Sequence, residues 1–587
     1  ITLRETDGLA ICDYPLRVVR LSTTAARLLQ QCNEQHTCEQ LAAYLHLPLK
    51  RVEALCEQLR WKGLLEAGPM QAPTTWPGVS IIVPSHNRVQ QLERCLCALR
   101  ALDYPAACVE ILVVDDGSND ETSTMLQRLT QECEAEGRTL RVVRHTSQLG
   151  VAKSRNTGAQ AAQYDLLAYI DSDCVASPGW LTELVPAFQQ ADVAAVGGMI
   201  RAYERLSMLG RYEDMRSSLF MGVRPQQVSI EGPLMYLPTA NLLVRKEMWQ
   251  QLGGFAPLTF GEDVDFCRRL LATKARVLYM PQGIVYHDYR TKLWSFLKIR
   301  ASYASAEAAL LRLHPEERRI LHLPPEQAIF SGLMLGGLWS TLLMRSKSES
   351  IQSISANTGP GHPQARQSQA EQPRPGQGQV GQLQRPGLPV PQTGFPQGDA
   401  PRGADGRTRA TARARARARP HPTRATARVA PTIYDRGHWG WKMKGGSILY
   451  IGSSFGMLVL AMILTGFGAY KRWRKVKKQG VPIGPLTIFR ATLRGHLAYT
   501  YHLCRHLTRY YTLPLLIVGV ILPPLLLLVL TLVGIVVGVD YVRLQPAMRV
   551  GEYALCAVLD DCAYEVGVIQ GCIKHGTWKP LWPIIKR

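Results

Sequence analysis

Between residues 78 and 300, short apolar runs alternate with longer stretches of helical period. The runs are Val79–Val83, Ile111–Val114, Leu140–Val143 and Leu166–Ile170, with Ser80 and Arg141 as their polar members. Runs this short suit strands. Their alternation with helices predicts an α/β domain built on a parallel sheet. Ligands of such sheets gather at the carboxyl ends of the strands. Asp115–Asp116 and the Asp171-Ser172-Asp173 triplet each follow directly on a run.

The pattern differs on either side. Residues 1–68 read as a small winged-helix-like unit. Two strand-like runs, Leu9–Cys12 and Leu16–Leu21, precede three helices. Ser22 is placed to cap the first, and Thr37 with Gln40 forms a capping-box pattern before the second. The third carries Val52, Leu55 and Leu59 at helical spacing and stops at Gly63. A Pro/Ala/Thr-rich linker runs from Gly68 to Pro77.

Three apolar stretches follow the central domain. Ala328–Met344 is at the lower limit for crossing a bilayer; Ser447–Tyr470 and Tyr510–Val539 are uncharged and long enough, the latter interrupted by Pro523–Pro524, which predicts a kink or a re-entrant segment. Lys471, Arg472, Arg474, Lys475, Lys477 and Lys478 close the second and mark a cytoplasmic side. The segment 484–509 is amphipathic and basic, suited to an anionic leaflet. Residues 540–587 form a C-terminal tail. The expected location is the inner or plasma membrane, multi-pass, with the α/β domain in the cytoplasm.

Composition changes the picture in one place. The 587 residues carry a net charge of +22. Residues 345–436, however, hold fifteen Arg/Lys against five Asp/Glu in a Gln/Pro/Gly-rich text without apolar periodicity. That segment is expected to be disordered, and to be dispensable or a sequence error. Nearly half of the charge excess therefore says nothing about a basic face on the folded parts. Fourteen scattered cysteines suit reduced thiols rather than a disulfide scaffold. The chain opens at Ile1 with no Met and no signal peptide, so the expectation is that its natural start lies upstream.

The acidic clusters carry the candidate chemistry. One carboxylate at a strand end is ordinary turn chemistry. Two such sites in one α/β unit, followed by Gly261-Glu-Asp-Val-Asp265, point to a shared function. Two carboxylates one residue apart, Asp171 and Asp173, suit a hard divalent cation bridging a diphosphate.

The set Val79-Ser-Ile-Ile-Val-Pro-Ser-His-Asn-Arg88, Val113-Val-Asp-Asp-Gly-Ser118, Gly150-Val-Ala-Lys-Ser-Arg-Asn156, the 171–173 triplet and Gly261–Arg269 resembles the family 2 glycosyltransferases of the GT-A (Rossmann-like) fold. The resemblance implies a nucleotide pocket shaped by Pro84, Asn87 and Arg88, with Asp115 and Asp116 at the uridine. It implies Arg155 and Asn156 on the nucleotide or its diphosphate. It implies Mg²⁺ or Mn²⁺ on Asp171 and Asp173, and Asp263 as the base of an inverting transfer. His287 is a further metal or phosphate candidate. Pro238–Asn241 and Trp249 line the acceptor side, or Trp249 is plain core.

The N-terminal unit resembles PqqD-like peptide-recognition domains through Leu21–Leu29 and Glu39–Ala43. A PqqD-like unit, a family 2 transferase and a membrane-embedded tail, in that order, resemble the glycosyltransferases of the mycofactocin system. That implies a UDP-sugar donor, UDP-glucose, and a peptide-derived redox cofactor as acceptor. It also implies a precursor peptide at the N-terminal domain and membrane lipid as a partner. No nucleic-acid partner is expected, because the N-terminal helices lack a dense basic face. The alternative is a family 2 polysaccharide or glycolipid synthase of the cell envelope. A processive synthase carries Gln-x-x-Arg-Trp after the base motif, and here only Gln58-Leu-Arg-Trp61 occurs, misspaced and upstream.

Overall fold

The computed structural model describes residues 2–4, 9–13, 16–32, 36–61, 64–65, 72–230, 232, 234–316, 318–356 and 445–586. The expected low-complexity segment begins inside a helix that continues to Ala356; its remainder lies outside the described residues.

The N-terminal unit is a three-stranded antiparallel sheet followed by three helices. Its strands are β1 (Thr2–Arg4), β2 (Leu9–Asp13) and β3 (Leu16–Arg20), with β2 central. Its helices are α1 (Thr23–Gln31), α2 (Cys38–Leu45) and α3 (Leu49–Trp61). Both expected caps form. Ser22 Oγ accepts from the Ala25 N–H at 3.2 Å, and Thr37 and Gln40 exchange bonds of 3.3 and 2.9 Å. Leu28, Val52 and Leu59 meet in the core beneath them.

The central domain runs β4 (Val79–Ser85), α4 (Val89–Arg100), β5 (Val109–Asp115), α5 (Thr122–Ala135), β6 (Thr139–Arg144), α6 (Val151–Ala161), β7 (Leu166–Tyr169) and β8 (Cys174–Ala176). It continues α7 (Trp180–Leu184), β9 (Val193–Ala202), α8 (Met208–Arg216), β10 (Gln226–Gln227), β11 (Leu242–Arg245), α9 (Lys246–Gln251), α10 (Glu262–Ala272) and β12 (Arg276–His287). The four expected strands are β4 to β7 and pair in parallel in the order β6-β5-β4-β7. β4 and β5 are buried at every residue, which is why their sequences are mostly apolar. Their exceptions are satisfied: Glu110 accepts from Ser80 Oγ at 2.5 Å and pairs with Arg141 at 2.8 Å.

Beyond β7 the sheet is mixed rather than parallel. β11 pairs antiparallel with both β7 and β9, β12 lies parallel to β9, and β8 and β10 pair antiparallel with β12. The chain steps outward from β4 through β5 to β6, then returns to place β7 on the other side of β4. This is a topological switch point, and it opens a crevice at the carboxyl ends of β4, β5 and β7.

The rest is helical: α11 (Leu293–Leu313), β13 (Ile320–His322), α12 (Pro325–Ala356), α13 (Gly445–Lys478), α14 (Pro485–Ile521), α15 (Pro523–Leu544), α16 (Val550–His575) and β14 (Ile584–Lys586), which pairs in parallel with β13. The expected run 510–539 is broken at Leu522, which leaves helical geometry. Gly519 lies against Leu526, and Tyr501 on one side of the break donates to Asp540 on the other at 2.5 Å. α14 and α15 are therefore a helical hairpin, bent at the expected Pro523–Pro524. The segment 484–509 is the first part of α14 rather than a separate element. Of the three expected spans, 328–344 lies in α12 and 447–470 in α13. By length and composition, one helix among the described residues, α15, is apolar enough to cross a membrane.

The expected tail is mostly α16, which packs closely along α11. A Cβ on Gly567 would stand 2.0 Å from the Ala301 carbonyl, and one on Gly571 2.3 Å from that of Ser305. Two glycines one helical turn apart let the two backbones touch.

Candidate active site

A cavity of about 680 Å³ opens at the switch point. Its first wall comes from the end of β4 and the loops after β4 and β5, with Pro84, His86, Arg88 and Asp116. α6 contributes Arg155, the loop after β7 contributes Asp171 and Asp173, and α10 contributes Glu262 and Asp263. The end of β12 adds His287 and Arg290. The sequence segments singled out for chemistry, spread from 84 to 287, thus converge on one crevice.

Asp116 is tied down by three bonds. Its Oδ1 accepts from Leu149 N–H at 2.9 Å and lies 2.7 Å from His145 Nδ1, and its Oδ2 accepts from Gly150 N–H at 2.8 Å. Burial opposes its ionisation, but the His145 ring and the two N–H groups outweigh that and hold the carboxyl below the usual range. Asp116 therefore fixes the loop that starts α6.

Arg155 is buried and bridges two carboxylates, Glu262 Oε1 at 2.5 Å and Asp171 Oδ1 at 2.6 Å. Burial works against its charge, and Asp171 and Glu262 overcome it, so Arg155 stays a cation. Asp173 is nearly buried and ion-paired with Arg88; Arg290 stands 3.4 Å away and His287 Nε2 3.5 Å away. Burial would raise its pKa, but His287, Arg88 and Arg290 hold it down. The expected trio of Asp171, Asp173 and His287 is therefore divided: Asp171 turns to Arg155, while Asp173 and His287 face each other.

Asp173, Cys174 and His287 bring their donor atoms within 4.8 Å of one another. Burial, then the charges of Asp173 and Asp171, push the Cys174 thiol up, so it remains neutral. Carboxylate and imidazole are left as the effective donors, a pair able to hold a divalent cation, of which the carboxylate oxygen is the donor that favours Mg²⁺ or Mn²⁺. His287 Nδ1 is buried without a hydrogen-bond partner among the described residues. Arg88 and Arg290 reach Asp173 with side chains 37% and 35% exposed.

The three acidic residues of the 261–265 motif part company. Gly261 has φ +83°, a left-handed turn that starts α10. Asp265 turns away to Arg269 (2.6 Å) and His314 (2.9 Å). Glu262 is held by Arg155. Asp263 lines the cavity with no ion pair among the described residues, accepting only from the Val264 N–H at 2.8 Å. Burial first, and the Glu262 charge second, push its carboxyl up to about 7 against the pull of Arg155. A carboxylate poised near neutrality is suited to take a proton.

Asn87, Asp115 and Asn156 are not among the residues that line the cavity. Asn87, at φ +52°, ties its loop to Ser118 and Asn119. Asp115 accepts from the Ser118 N–H at 3.0 Å, and Asn156 clasps Phe255 N–H and O. Pro238, Thr239 and Ala240 line the cavity; Asn241 is buried on Trp180 Nε1, and Trp249 is core, bonded to Asn156. Sequence reasoning missed Arg290, three positions after His287, and missed Tyr303, Glu307 and Tyr564 on α11 and α16.

Residues 80–253 match the family model described as glycosyl transferase family 2, and the mixed sheet with its switch-point crevice is the α/β architecture expected of that domain. Among individual proteins, the chain is 33% identical over 241 residues to a pre-mycofactocin glycosyltransferase of Mycobacterium tuberculosis, covering 41% of this chain and 48% of that one. It is 28% identical over 198 residues to the glycosyltransferase AglE of Haloferax volcanii, covering 33% and 62%. The chain thus spans about half the length of the mycobacterial relative. The resemblance to the mycofactocin-system glycosyltransferases holds in the aligned region. A solved mannosyltransferase from Pyrobaculum calidifontis, in complex with GDP-mannose and Mn²⁺, aligns over 51% of this chain and 77% of its own at 19% identity, with a TM-score of 0.36.

Proposed function

We propose that this protein transfers a sugar, glucose from UDP-glucose, onto a hydroxyl of a peptide-derived redox cofactor, with inversion and with Mg²⁺ or Mn²⁺. The observation that carries the reading is Asp263, a carboxylate in the cavity with no ion pair among the described residues and with its pKa pushed up to about 7 by burial and the Glu262 charge. It takes the proton of the acceptor hydroxyl as that oxygen attacks the anomeric carbon. Arg155 holds Glu262 and Asp171 in place around it, so the base keeps one orientation. Arg88 and Arg290 offer positive charge to the leaving diphosphate. Asp173 and His287 would hold the metal, which when bound supplies further charge neutralisation at that diphosphate. Pro84, His86 and Asp116 shape the nucleoside end. The relative named as acting on pre-mycofactocin supports this acceptor.

The remaining expectations join the proposal. The N-terminal sheet and three helices serve as a PqqD-like module for a precursor peptide. The hairpin of α14 and α15 inserts in a membrane, tip first: Ile517, Val520, Ile521 and Leu522 are apolar and 54–78% exposed around the break. That exposed tip also favours a second reading, a glycolipid synthase with a membrane-borne acceptor. The test is turnover of UDP-glucose by the purified chain in detergent, with a pre-mycofactocin acceptor and with lipid acceptors in parallel. Transfer to the peptide-derived acceptor that EDTA abolishes and Mn²⁺ restores is the expected result. Transfer to lipid only supports the second reading, and full activity in EDTA removes the metal.

A further inference from the structure

The cavity has a second wall that the nucleotide-binding motifs do not supply. It is built by α11 and α16. Gly567 and Gly571 let α16 lie directly on α11, and this brings Tyr564 to Glu307. Glu307 Oε1 accepts from both the Tyr564 hydroxyl and the Tyr510 hydroxyl, the latter at 2.9 Å. Its Oε2 takes no hydrogen bond from the described residues, and neither does the Tyr303 hydroxyl one turn earlier. The Tyr303 ring is braced edge-on by Phe260 at 5.6 Å. Phe260, Tyr303, Glu307 and Tyr564 line the cavity, together with Tyr236. Tyr236 connects this wall to the base: burial and then the charge of Asp263 raise its hydroxyl pKa, and that hydroxyl donates to the Ser218 carbonyl at 2.8 Å.

We propose that this wall is the acceptor subsite, and that it takes a ring bearing hydroxyls, held against Tyr303 and Tyr236 with one hydroxyl donating to Glu307 and accepting from the Tyr303 hydroxyl. Aromatic faces offer apolar contact to a ring, and a carboxylate already braced by two tyrosines offers a fixed acceptor to a ring hydroxyl. The ring chemistry has two sources, a glycosyl unit already transferred or a phenol. The inference rests on the transferase reading of the cavity, since it assigns what stands opposite the donor.

The experiment is ligand-observed NMR titration of the full chain with methyl β-D-glucopyranoside and, separately, with 4-methylphenol, each with and without UDP. UDP affinity is measured independently by calorimetry. Tyr303→Phe removes a hydroxyl that bonds to none of the described residues, so it leaves the fold intact. Glu307→Gln is the second variant, since it risks loosening Tyr510 and Tyr564. At least one probe is expected to bind, and the probe that binds identifies the source. Each variant is expected to weaken it about three- to tenfold with UDP affinity unchanged. Failure of both probes to bind, or equal binding by Tyr303→Phe and the parent chain, overturns the assignment. Loss of UDP binding in the parent chain would instead defeat the transferase reading, while the titrations without UDP still decide the subsite.

Discussion

Glu262→Gln separates the influences that set the base. Asp263 titrates near 7 because burial raises it and the Glu262 charge raises it further, against Arg155. Glu262 is anchored by Arg155 at 2.5 Å, and the amide keeps an oxygen for that bond while losing the charge. Arg155 keeps Asp171 at 2.6 Å. A raised carboxyl pKa means that the base is protonated below it, so activity climbs as pH rises through about 7. Removing a neighbouring charge shifts such a group by about 1–3 units, here downward. At pH 6 a base of pKa 7 is about one-tenth ionised, and a drop of one unit makes it about one-half. The rate at pH 6, relative to the plateau, is therefore expected to rise about fivefold. The assay is kcat against pH from 5 to 9 with saturating donor and acceptor. An acid limb that stays put, or moves up, would refute the assignment of Glu262 as the group that raises the base. Asp265→Asn serves as control, since Asp265 is spent on Arg269 and His314.

Two further outcomes follow from the packing of α16. Gly567→Val places a side chain where only 2.0 Å separates a Cβ from the Ala301 carbonyl, so the helices must part at a cost of about 1–3 kcal/mol. Thermal unfolding should show a lower Tm, and an unchanged Tm would mean that α11 and α16 do not touch. Asp560 is buried between Arg300 and Arg509, each at 3.4 Å, with the Tyr212 hydroxyl at 3.0 Å. Burial opposes its charge, yet Arg300, Arg509 and Arg505 hold its pKa at about 2. Its folded pKa is below its unfolded one, so its stabilisation is present above about pH 4 and is lost as pH falls toward 2. Asp560→Asn should cost about 3–5 kcal/mol at pH 7 and progressively less in acid. Urea denaturation at several pH values checks this, and a deficit that does not shrink as pH falls toward 2 counts against it.

The half of the sheet that carries the donor side was legible because β4, β5 and β7 are buried on both faces and read as apolar runs. β12 was not, because its residues alternate between buried and half-buried and Gln282-Gly283 interrupts the pattern. Motifs located the crevice but not the direction of each side chain. Asn87, Asp115 and Asn156 belong to the right segments, yet they brace backbone. The same limit divides Asp263 from Asp265, two positions apart at the start of α10. The wall built by α11 and α16 left no local signal. Asp560, Asp561 and Glu565 make α16 look like a polar tail, and they are buried only because Arg300, Arg505 and Arg509 from other helices meet Asp560 and Asp561 while the backbone of α14 meets Glu565. The small residues that let α16 touch α11 acquire meaning only once the two helices are side by side.

The central claim is that Asp263 is the base of a sugar transfer from a nucleotide donor. Asp263→Asn, compared with the parent chain for UDP-glucose affinity by calorimetry and for kcat by UDP release, tests it most directly. The account predicts donor affinity within about twofold and a kcat lower by about 10²–10⁴. A variant that turns over at near the parent rate would contradict it.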